Sequence, residues 1–152
     1  GSGSGNGINI TSSISNVTIE NLTVTNFFNG MNVSTASLTI SNLTLQNISL
    51  SNNIRDGLYS DNNVSYSGLN IIDSQFNNNN GVTFGRGVWI QGAGASHSNI
   101  NITNSQFNSN ALVGFDLSIH TSLNNFTVTG SEFRNNGDAG LSFYKGHTSP
   151  AT

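Results

Sequence analysis

Apolar and polar residues alternate along most of this chain, in short runs that end in asparagine-rich bends. The clearest runs begin at Val17, Leu38, Leu69, Ile100 and Phe126, and read VTIENLTVTNF, LTISNLTLQNI, LNIIDSQFNNNN, INITNSQFNSN and FTVTGSEFRNN. Alternation with a period of two residues is typical of β-strands, whereas an amphipathic helix needs apolar residues about every three to four positions. No stretch has that helical spacing, so the pattern predicts short strands and no helix.

These runs recur at intervals, which indicates a repeat. Their starts lie 21, 31, 31 and 26 residues apart. A second motif, a glycine followed by an alternating strand, begins at Gly7, Gly30, Gly57, Gly87, Gly114 and Gly140, at intervals of 23, 27, 30, 27 and 26 residues. Units that hold only a few short strands cannot bury an apolar face alone and must stack on their neighbours. We therefore predict an all-β, single-domain parallel β-solenoid of five to six coils.

Stacked coils bring equivalent residues into rows, and the alternation predicts which rows face inward. We expect inward rows of Leu58, Val88, Phe115 and Leu141, of Ile90, Leu117 and Phe143, and of Phe76, Phe107 and Phe133, the last continued by Val24 and Leu45. Each buried Phe or Leu contributes about 1.5–3 kcal/mol to stability. Such rows can supply a core although only 34% of the residues are hydrophobic.

Asparagine is the commonest residue, with 27 copies. It tolerates a left-handed backbone and bonds to its own turn, and stacked amides can bond from coil to coil. We expect one bend row of Asn21, Asn42, Asp73, Asn104 and Gly130, and another of Asn26, Asn47, Asn78, Ser109 and Asn135. The abundance of asparagine is then explained by structure.

The repeat as a whole, an alternating strand, a polar bend, Ser-x-Phe, an asparagine turn and a glycine-anchored strand, resembles the right-handed parallel β-helix of the pectate-lyase-like superfamily. The resemblance extends over residues 7–146 and implies a right-handed coil, the hand that parallel crossovers favour. We expect residues 1–6 to be a flexible segment or linker and residues 147–152 a C-terminal tail. The superfamily includes lyases, hydrolases, tailspikes, adhesins and structural proteins, so the resemblance implies no single activity.

Composition narrows the classes of function. Charged residues make up 7% of the chain and the net charge is −3. We therefore expect no nucleic-acid partner, which would need a basic surface, and no polybasic contact with a membrane. No apolar run approaches the roughly 18 residues of a spanning helix. Cysteine is absent, and we expect neither a metal site nor a cofactor.

The outward face of the glycine-anchored strands is the best candidate for a binding site. It holds Tyr59, Trp89 and Asp116 two residues after their glycines, and Asp61, Gln91 and Tyr144 four residues after. Flat aromatic rings beside carboxylate and amide groups suit a sugar ring, so we name these six as candidate carbohydrate-binding residues. Arg86 and Asp56 are expected to pair across adjacent coils. The alternative is that Tyr and Trp simply favour strand surfaces.

Catalysis finds little support in the sequence. Glycosidases need two carboxylates about 5–9.5 Å apart, whereas Asp61 and Asp116 are expected two coils apart, at about 10 Å for a strand spacing of about 4.8 Å. A lyase of the resembled superfamily would bring clustered Asp ligands for calcium and a basic proton acceptor, and the sequence has no such cluster. We name no catalytic residues and favour a non-catalytic protein.

Nine Asn-x-Ser/Thr sequons are candidate N-glycosylation sites in a secreted protein. Those of Asn21, Asn42 and Asn47 fall in the expected bend rows, where a glycan would disrupt the stack. The better acceptors are Asn16, Asn32, Asn63, Asn101 and Asn125.

Two functions follow from these observations. The first is an extracellular or cell-surface structural or adhesive module, which either stacks end to end with other copies or continues into further coils of a longer chain, because the end coils offer unpaired strand edges. The second is a carbohydrate-binding or polysaccharide-cleaving β-helix fragment that uses the six residues named above.

Overall fold

The structure, a computed structural model, describes residues 3–34, 37–81, 83–92, 94–119 and 122–145. Within these residues the chain forms eleven strands and no helix. The strands are β1 (Ile8–Ile10), β2 (Ile14–Thr23), β3 (Met31–Val33), β4 (Thr39–Ser49), β5 (Leu58–Ser60), β6 (Ser65–Ile72), β7 (Val88–Ile90), β8 (Ser96–Thr103), β9 (Phe115–Ile119), β10 (Ser122–Thr129) and β11 (Leu141–Lys145). The predicted tail, residues 147–152, lies outside the described residues.

The strands form two parallel sheets that wind as a β-solenoid of about five turns. Sheet A has the order β1-β3-β5-β7-β9-β11, and sheet B has the order β2-β4-β6-β8-β10. A third side of the coil is marked by parallel bridges between Ser49, Gln75, Gln106 and Glu132. Every sheet pairing is parallel and joins equivalent segments of adjacent coils. The prediction of an all-β parallel solenoid is confirmed.

A left-handed residue at every fifth position shapes the coil. In sheet B and along the third side, each described turn holds three consecutive five-residue units, most of which alternate apolar and polar residues, and each unit ends in a bend residue with a positive φ. In the second turn the bends are Asn42 (φ 51), Asn47 (φ 49) and Asn52 (φ 57). The corresponding residues of the other turns are Asn16, Asn21 and Asn26, then Gly68, Asp73 and Asn78, then Asn99, Asn104 and Ser109, and finally Asn125, Gly130 and Asn135. Asn, Asp and Gly are the residues that adopt this conformation at least cost.

The register of the second turn differs from the prediction by five residues. Val17 pairs with Leu43 rather than Leu38. Asn42 therefore donates to Asn16 at 3.0 Å, and Asn47 donates to Asn21 at 2.8 Å, instead of Asn42 stacking on Asn21 and Asn47 on Asn26. The slip arises because the five-residue units of one turn are nearly identical in pattern, so a shift by one unit preserves the alternation. All ten residues of the two predicted bend rows nevertheless have a positive φ.

The core contains the inward rows, with two corrections. Leu58, Val88 and Phe115 are fully buried. Phe76, Phe107 and Phe133 stack face to face, with ring centres 5.0 and 4.9 Å apart. Leu45 does not continue this row, because it pairs with Ile19 and Ile71, and the buried Leu50 takes its place. Phe143 is 47% exposed, because it lies on β11, the outermost strand of sheet A among the described residues.

A buried asparagine row, which the sequence analysis did not single out, crosses the solenoid interior. Its members are Asn53, Asn79, Asn110 and Asn136. The Asn79 side chain accepts from the Asn53 backbone at 3.0 Å and donates to the Leu50 carbonyl at 3.2 Å and to the Asn110 carbonyl-type oxygen Oδ1 at 3.0 Å. Equivalent bonds recur one coil on. Each amide thus satisfies buried backbone groups that the adjacent coil leaves without partners.

One turn is longer than the others. Sheet B pairings join residues 26 positions apart in three of its four strand pairs and 31 apart between β6 and β8. Most of the extra length lies between Asn79 and Gly87, which are eight positions apart, against four from Asn110 to Gly114. We call residues 80–86 the inserted loop.

Replacing one rung of the buried row tests its energetic role. We expect Asn79→Ala to lower the free energy of unfolding by at least about 3 kcal/mol, because buried donors and acceptors on two neighbouring coils lose their partners. The matched control is Asn80→Ala, since the Asn80 side chain is exposed, and it should change stability by less than about 0.5 kcal/mol. Urea unfolding measures both, and equal losses would contradict a special role for the buried row.

Candidate functional site

The outward face of sheet A carries a group of aromatic and charged side chains around the inserted loop. Parallel pairing of β5, β7 and β9 places Tyr59, Trp89 and Asp116 in one row. The Tyr59 and Trp89 rings meet edge to face, with centres 5.2 Å apart. Phe84, from the inserted loop, lies against Trp89 with ring centres 6.0 Å apart at 29°. We call the three rings of Tyr59, Phe84 and Trp89, together with the neighbouring Phe28, Arg55 and Arg86, the aromatic cluster.

Arg55 lies in the middle of the aromatic cluster. Its guanidinium carbon is 4.2 Å from the ring centres of both Tyr59 and Phe84. It is also 5.4 Å from the ring centre of Trp89 and 5.7 Å from that of Phe28. A cation over an aromatic face contributes about 0.5–2 kcal/mol, more when it is shielded from water. Arg55 therefore holds the inserted loop against sheet A.

The buried Asp56 binds the backbone of the inserted loop. Its carboxylate is fully buried and accepts hydrogen bonds from the backbone amides of Gly85 at 3.2 Å and Arg86 at 2.8 Å. Arg55 Nε lies 3.1 Å from the second carboxylate oxygen, as an ion pair without good hydrogen-bond geometry. Burial raises the pKa of Asp56, against the lowering effect of these partners. The Asp56 carboxylate therefore holds the inserted loop in its place against sheet A.

Arg86 does not form the expected ion pair with Asp56. Its backbone amide bonds to Asp56, while its side-chain Nε donates to Asp116 Oδ2 at 2.9 Å. Its guanidinium carbon lies 4.0 Å from the Trp89 ring centre. Guanidinium groups and rings of the protein itself thus contact Trp89, which leaves less of its surface for a sugar than the sequence analysis assumed.

Tyr59, Asp61 and Gln91 form a short chain of hydrogen bonds. Gln91 Nε2 donates to the Tyr59 hydroxyl at 3.2 Å, and that hydroxyl donates to Asp61 Oδ1 at 3.3 Å. Burial, and then the negative charge of Asp61, raise the pKa of Tyr59. These three candidate residues are brought together, with their polar atoms directed at each other.

The other three candidates line a groove. Trp89, Asp116 and Tyr144 border a cavity of about 350 Å³. The remaining lining residues are Arg86, Val113, Ser118, Asp138 and Ser142. Tyr144 is 56% exposed and is the most accessible aromatic ring beside the groove. We call this cavity the sheet A groove. It combines an exposed ring, two hydroxyls and two carboxylates, a set that can bind a polyhydroxylated ligand.

Arg55 and Phe84 are members of the cluster that the sequence analysis missed. The available signal was the irregular spacing of the glycines, 30 residues between Gly57 and Gly87 against 27 for the flanking intervals. An insertion in an otherwise regular repeat often holds non-repetitive function, because it enters as a surface loop. Arg55 is adjacent to Asp56, which was already expected to contact the next coil.

The five candidate glycosylation residues differ in how their amides are used. The Nδ2 atoms of Asn32, Asn101 and Asn125 donate hydrogen bonds to neighbouring asparagines at 3.1, 3.0 and 2.9 Å. Asn32 is also nearly buried. Asn16 and Asn63 are exposed. Asn16 is a bend residue whose Oδ1 accepts from Asn42, but it is the first described member of its row, and its Nδ2 donates to no described side chain. Because glycans attach at Nδ2, these two sites are the better presented in the folded chain.

A second unusual feature is a buried polar group at the corner where sheet A leads into sheet B. Tyr66 and His97 are almost fully buried on adjacent strands, with ring centres 5.9 Å apart. Within the described part of the chain, both His97 ring nitrogens have no hydrogen-bond partner. The Tyr66 and Ser60 hydroxyls have none with good geometry, although Ser60 lies close enough to act against the rise in the pKa of Tyr66. Burial lowers the pKa of His97 to about 4 and raises that of Tyr66. His97 is therefore neutral in the folded protein near neutral pH.

Searches for two other kinds of site found none in the part of the chain that the structure describes. No three His, Cys, Asp or Glu side chains there come together in a way that would hold a metal ion. Nor do those residues include a helix long and apolar enough to cross a membrane.

Comparison of the chain with protein-family models, curated proteins and solved structures found no match. The site is therefore interpreted from its own geometry.

Removing the Asp56 carboxylate should release the inserted loop. We expect Asp56→Ala to lower the free energy of unfolding by about 3–5 kcal/mol, because Arg55 and two backbone amides lose a buried partner. Trp89 is the only tryptophan, so its fluorescence reports the loop directly and should shift to longer wavelength as water reaches the ring. Asp61→Ala is the control and should leave the emission unchanged. An unshifted spectrum in folded Asp56→Ala would show that Asp56 does not hold the loop.

His97 should make stability depend on pH. Its pKa is about 4 in the folded state, below the ordinary value of 6.5, so the unfolded chain binds a proton first as the pH falls. Proton binding by His97 leaves the free energy of unfolding unchanged above about pH 6.5. It lowers that free energy by about 3 kcal/mol as the pH falls to about 4.

The comparison with His97→Leu isolates this effect, because the equivalent residue one coil on is Leu123. Urea unfolding between pH 7 and pH 4 should show a steeper loss for the wild type than for the variant. Parallel pH profiles would rule out the contribution of His97.

Proposed function

We propose that this chain is a non-catalytic β-solenoid module with a structural or adhesive role at a cell surface or outside the cell. The proposal rests mainly on how the polar residues are used: asparagine and serine side chains bond from coil to coil along the whole described solenoid. Examples are the Asn42–Asn16 and Asn125–Asn99 pairs and the serine row of Ser74 and Ser105. Polar groups committed to such rows make a rigid rod.

Membership of the pectate-lyase-like superfamily belongs to the same proposal. Two long parallel sheets, a third line of bridges, an internal phenylalanine stack and asparagine bends support it. A right-handed coil follows from the proposed membership.

The open strand edges support association with further coils. Among the described residues, β2 and β10 are the edge strands of sheet B, and β1 and β11 are those of sheet A. At the β10–β11 end, Val128 is 37% and Phe143 is 47% exposed. Unpaired edges with apolar neighbours favour pairing with another parallel strand. We propose a second copy of this chain as the partner, with further coils of a longer chain as the alternative.

The shape of that end bears on the strength of the association. Sheet A has six strands and sheet B five, so β11 projects one strand beyond β10. Two copies whose described strands paired along sheet A would therefore leave the β10 edge of sheet B without a strand partner. We accordingly expect weak, concentration-dependent stacking.

The second candidate function is carbohydrate binding, and the sheet A groove favours it. An exposed tyrosine next to hydroxyl and carboxylate groups provides stacking and hydrogen bonding for a sugar. The scaffold and the binding site are compatible, because the groove lies on the outward face and leaves the coil-to-coil rows intact. Location outside the cell, and N-glycosylation at Asn16 and Asn63 in a glycosylating host, complete the proposal.

Self-association is tested by placing a charge at the exposed end. We expect the wild type to show a rising average mass with concentration in light scattering after size exclusion, and short rods in electron micrographs. Val128→Lys should abolish both, because Val128 continues the inward row of the buried Ile102 and is itself 37% exposed, so a charge there would be buried between stacked coils. Thr127→Lys, on the outward face of the same strand, is the matched control and should still associate. A wild type that stays monomeric at all concentrations would contradict stacking between copies.

A further inference from the structure

The charges around the sheet A groove point to the kind of glycan it takes. We infer that the groove binds uncharged sugar units and disfavours uronates and other acidic sugars. This inference rests on the second candidate function, carbohydrate binding, and adds to it the chemical class of the ligand.

The single cation described in the groove wall is already neutralised. Arg86 Nε donates to Asp116 Oδ2 at 2.9 Å, and the two side chains are only 17% and 12% exposed. The guanidinium also contacts the Trp89 ring, at 4.0 Å from its centre. Arg86 Nη1 has no hydrogen-bond partner among the described residues but is buried. An acidic sugar that displaced Asp116 from Arg86 would leave the Asp116 carboxylate nearly buried without its partner.

A second carboxylate gives the groove a net negative charge. Asp138 is exposed on the groove wall, and none of the three arginines, the cations whose side chains the structure describes, forms an ion pair with it. The charges of Arg86 and Asp116 cancel, so Asp138 gives the described lining one net negative charge. Like charges in contact raise the free energy of binding, so a uronate in the groove is repelled, whereas a neutral sugar can donate its hydroxyl protons to the same carboxylate.

The remaining lining suits a neutral ring. Tyr144 offers an exposed aromatic face, Val113 is a nearly buried apolar residue of the lining, and Ser118 and Ser142 contribute hydroxyls. The volume of about 350 Å³ lies at the lower end of the range for small-molecule sites, which is about 300–1,000 Å³. The groove is thus matched to a short stretch of a chain rather than to a long buried polymer.

The experiment compares probes with the same sugar backbone that differ chiefly in charge. The wild-type chain is first screened against neutral polysaccharides, namely cellulose, xylan, galactan, mannan and chitin oligomers, in native gels and by calorimetry. It is then titrated with hexagalacturonate, once with free carboxyls and once with every carboxyl methyl-esterified. We expect binding to neutral probes, and tighter binding of the esterified hexamer than of the free acid.

Two variants locate the effect in the groove. Asp138→Asn should reduce the preference for the esterified hexamer by roughly twofold to fivefold at low salt, the size expected of one exposed charge contact. Asp61→Asn is its matched control, because Asp61 is a carboxylate of the same sheet face that does not line the groove. Tyr144→Ala should abolish binding of the neutral probes, whereas Phe28→Ala, at another exposed ring, should not.

The outcomes separate the two proposals. Failure of every glycan to bind would overturn carbohydrate binding itself, and the inference with it. Tighter binding of the free acid, lost in Tyr144→Ala, would leave carbohydrate binding in place and overturn only the inferred ligand class. Binding that survives Tyr144→Ala but not Phe28→Ala would place the sugar at the aromatic cluster, and would also overturn the inference for the groove. The scaffold proposal is tested separately, by the mass measurements.

Discussion

Sheet B and the third side of each described coil depend on a backbone that turns left-handed at intervals of five residues. A strand alternates with a period of two, so a five-residue unit cannot be repeated on a continuous strand without moving its apolar residues to the outside. The positive-φ residue between units turns the chain, and the inward–outward alternation begins again. This requirement explains the abundance of asparagine, since Asn accepts that conformation and its amide can bond to the equivalent amide of the next coil, as Asn47 does to Asn21.

Stacking turns this local constraint into a cooperative structure. Because equivalent residues meet at every coil, the phenylalanine stack and the buried asparagine row run along the same solenoid, one supplying apolar burial and the other supplying backbone partners. The Asn79 side chain alone serves the coils on both sides of it. Cohesion of this kind depends little on charge, which is consistent with a chain of which only 7% is charged. It also leaves the strand edges at each end as natural contact points.

The inserted loop, the longest insertion into the repeat among the described residues, brings together aromatic and charged side chains. The inserted loop carries Phe84 onto Trp89 and Arg55, and its backbone bonds to the buried Asp56. Those contacts hold the inserted loop in place and surround Trp89 with groups of the protein itself. The aromatic cluster therefore fixes the loop and leaves little open ring surface for a sugar. The accessible chemistry lies one coil further on, where Asp116, Asp138 and Tyr144 border the sheet A groove.

The sequence by itself determined that the chain forms β-strands, that these wind as a solenoid, and which residues make up most inward rows. The reason is that alternation and repeat length are local properties, and they recur in every coil. It also determined that Tyr59, Trp89 and Asp116 share a row, since the glycines before them mark the register. It did not determine the register of the second turn, because its five-residue units are interchangeable in pattern and only pairing with both neighbours distinguishes Leu43 from Leu38. Nor did it determine the partners of Arg55 and Arg86: a long side chain reaches several groups at similar distance, and the folded coils decide which of them is nearest.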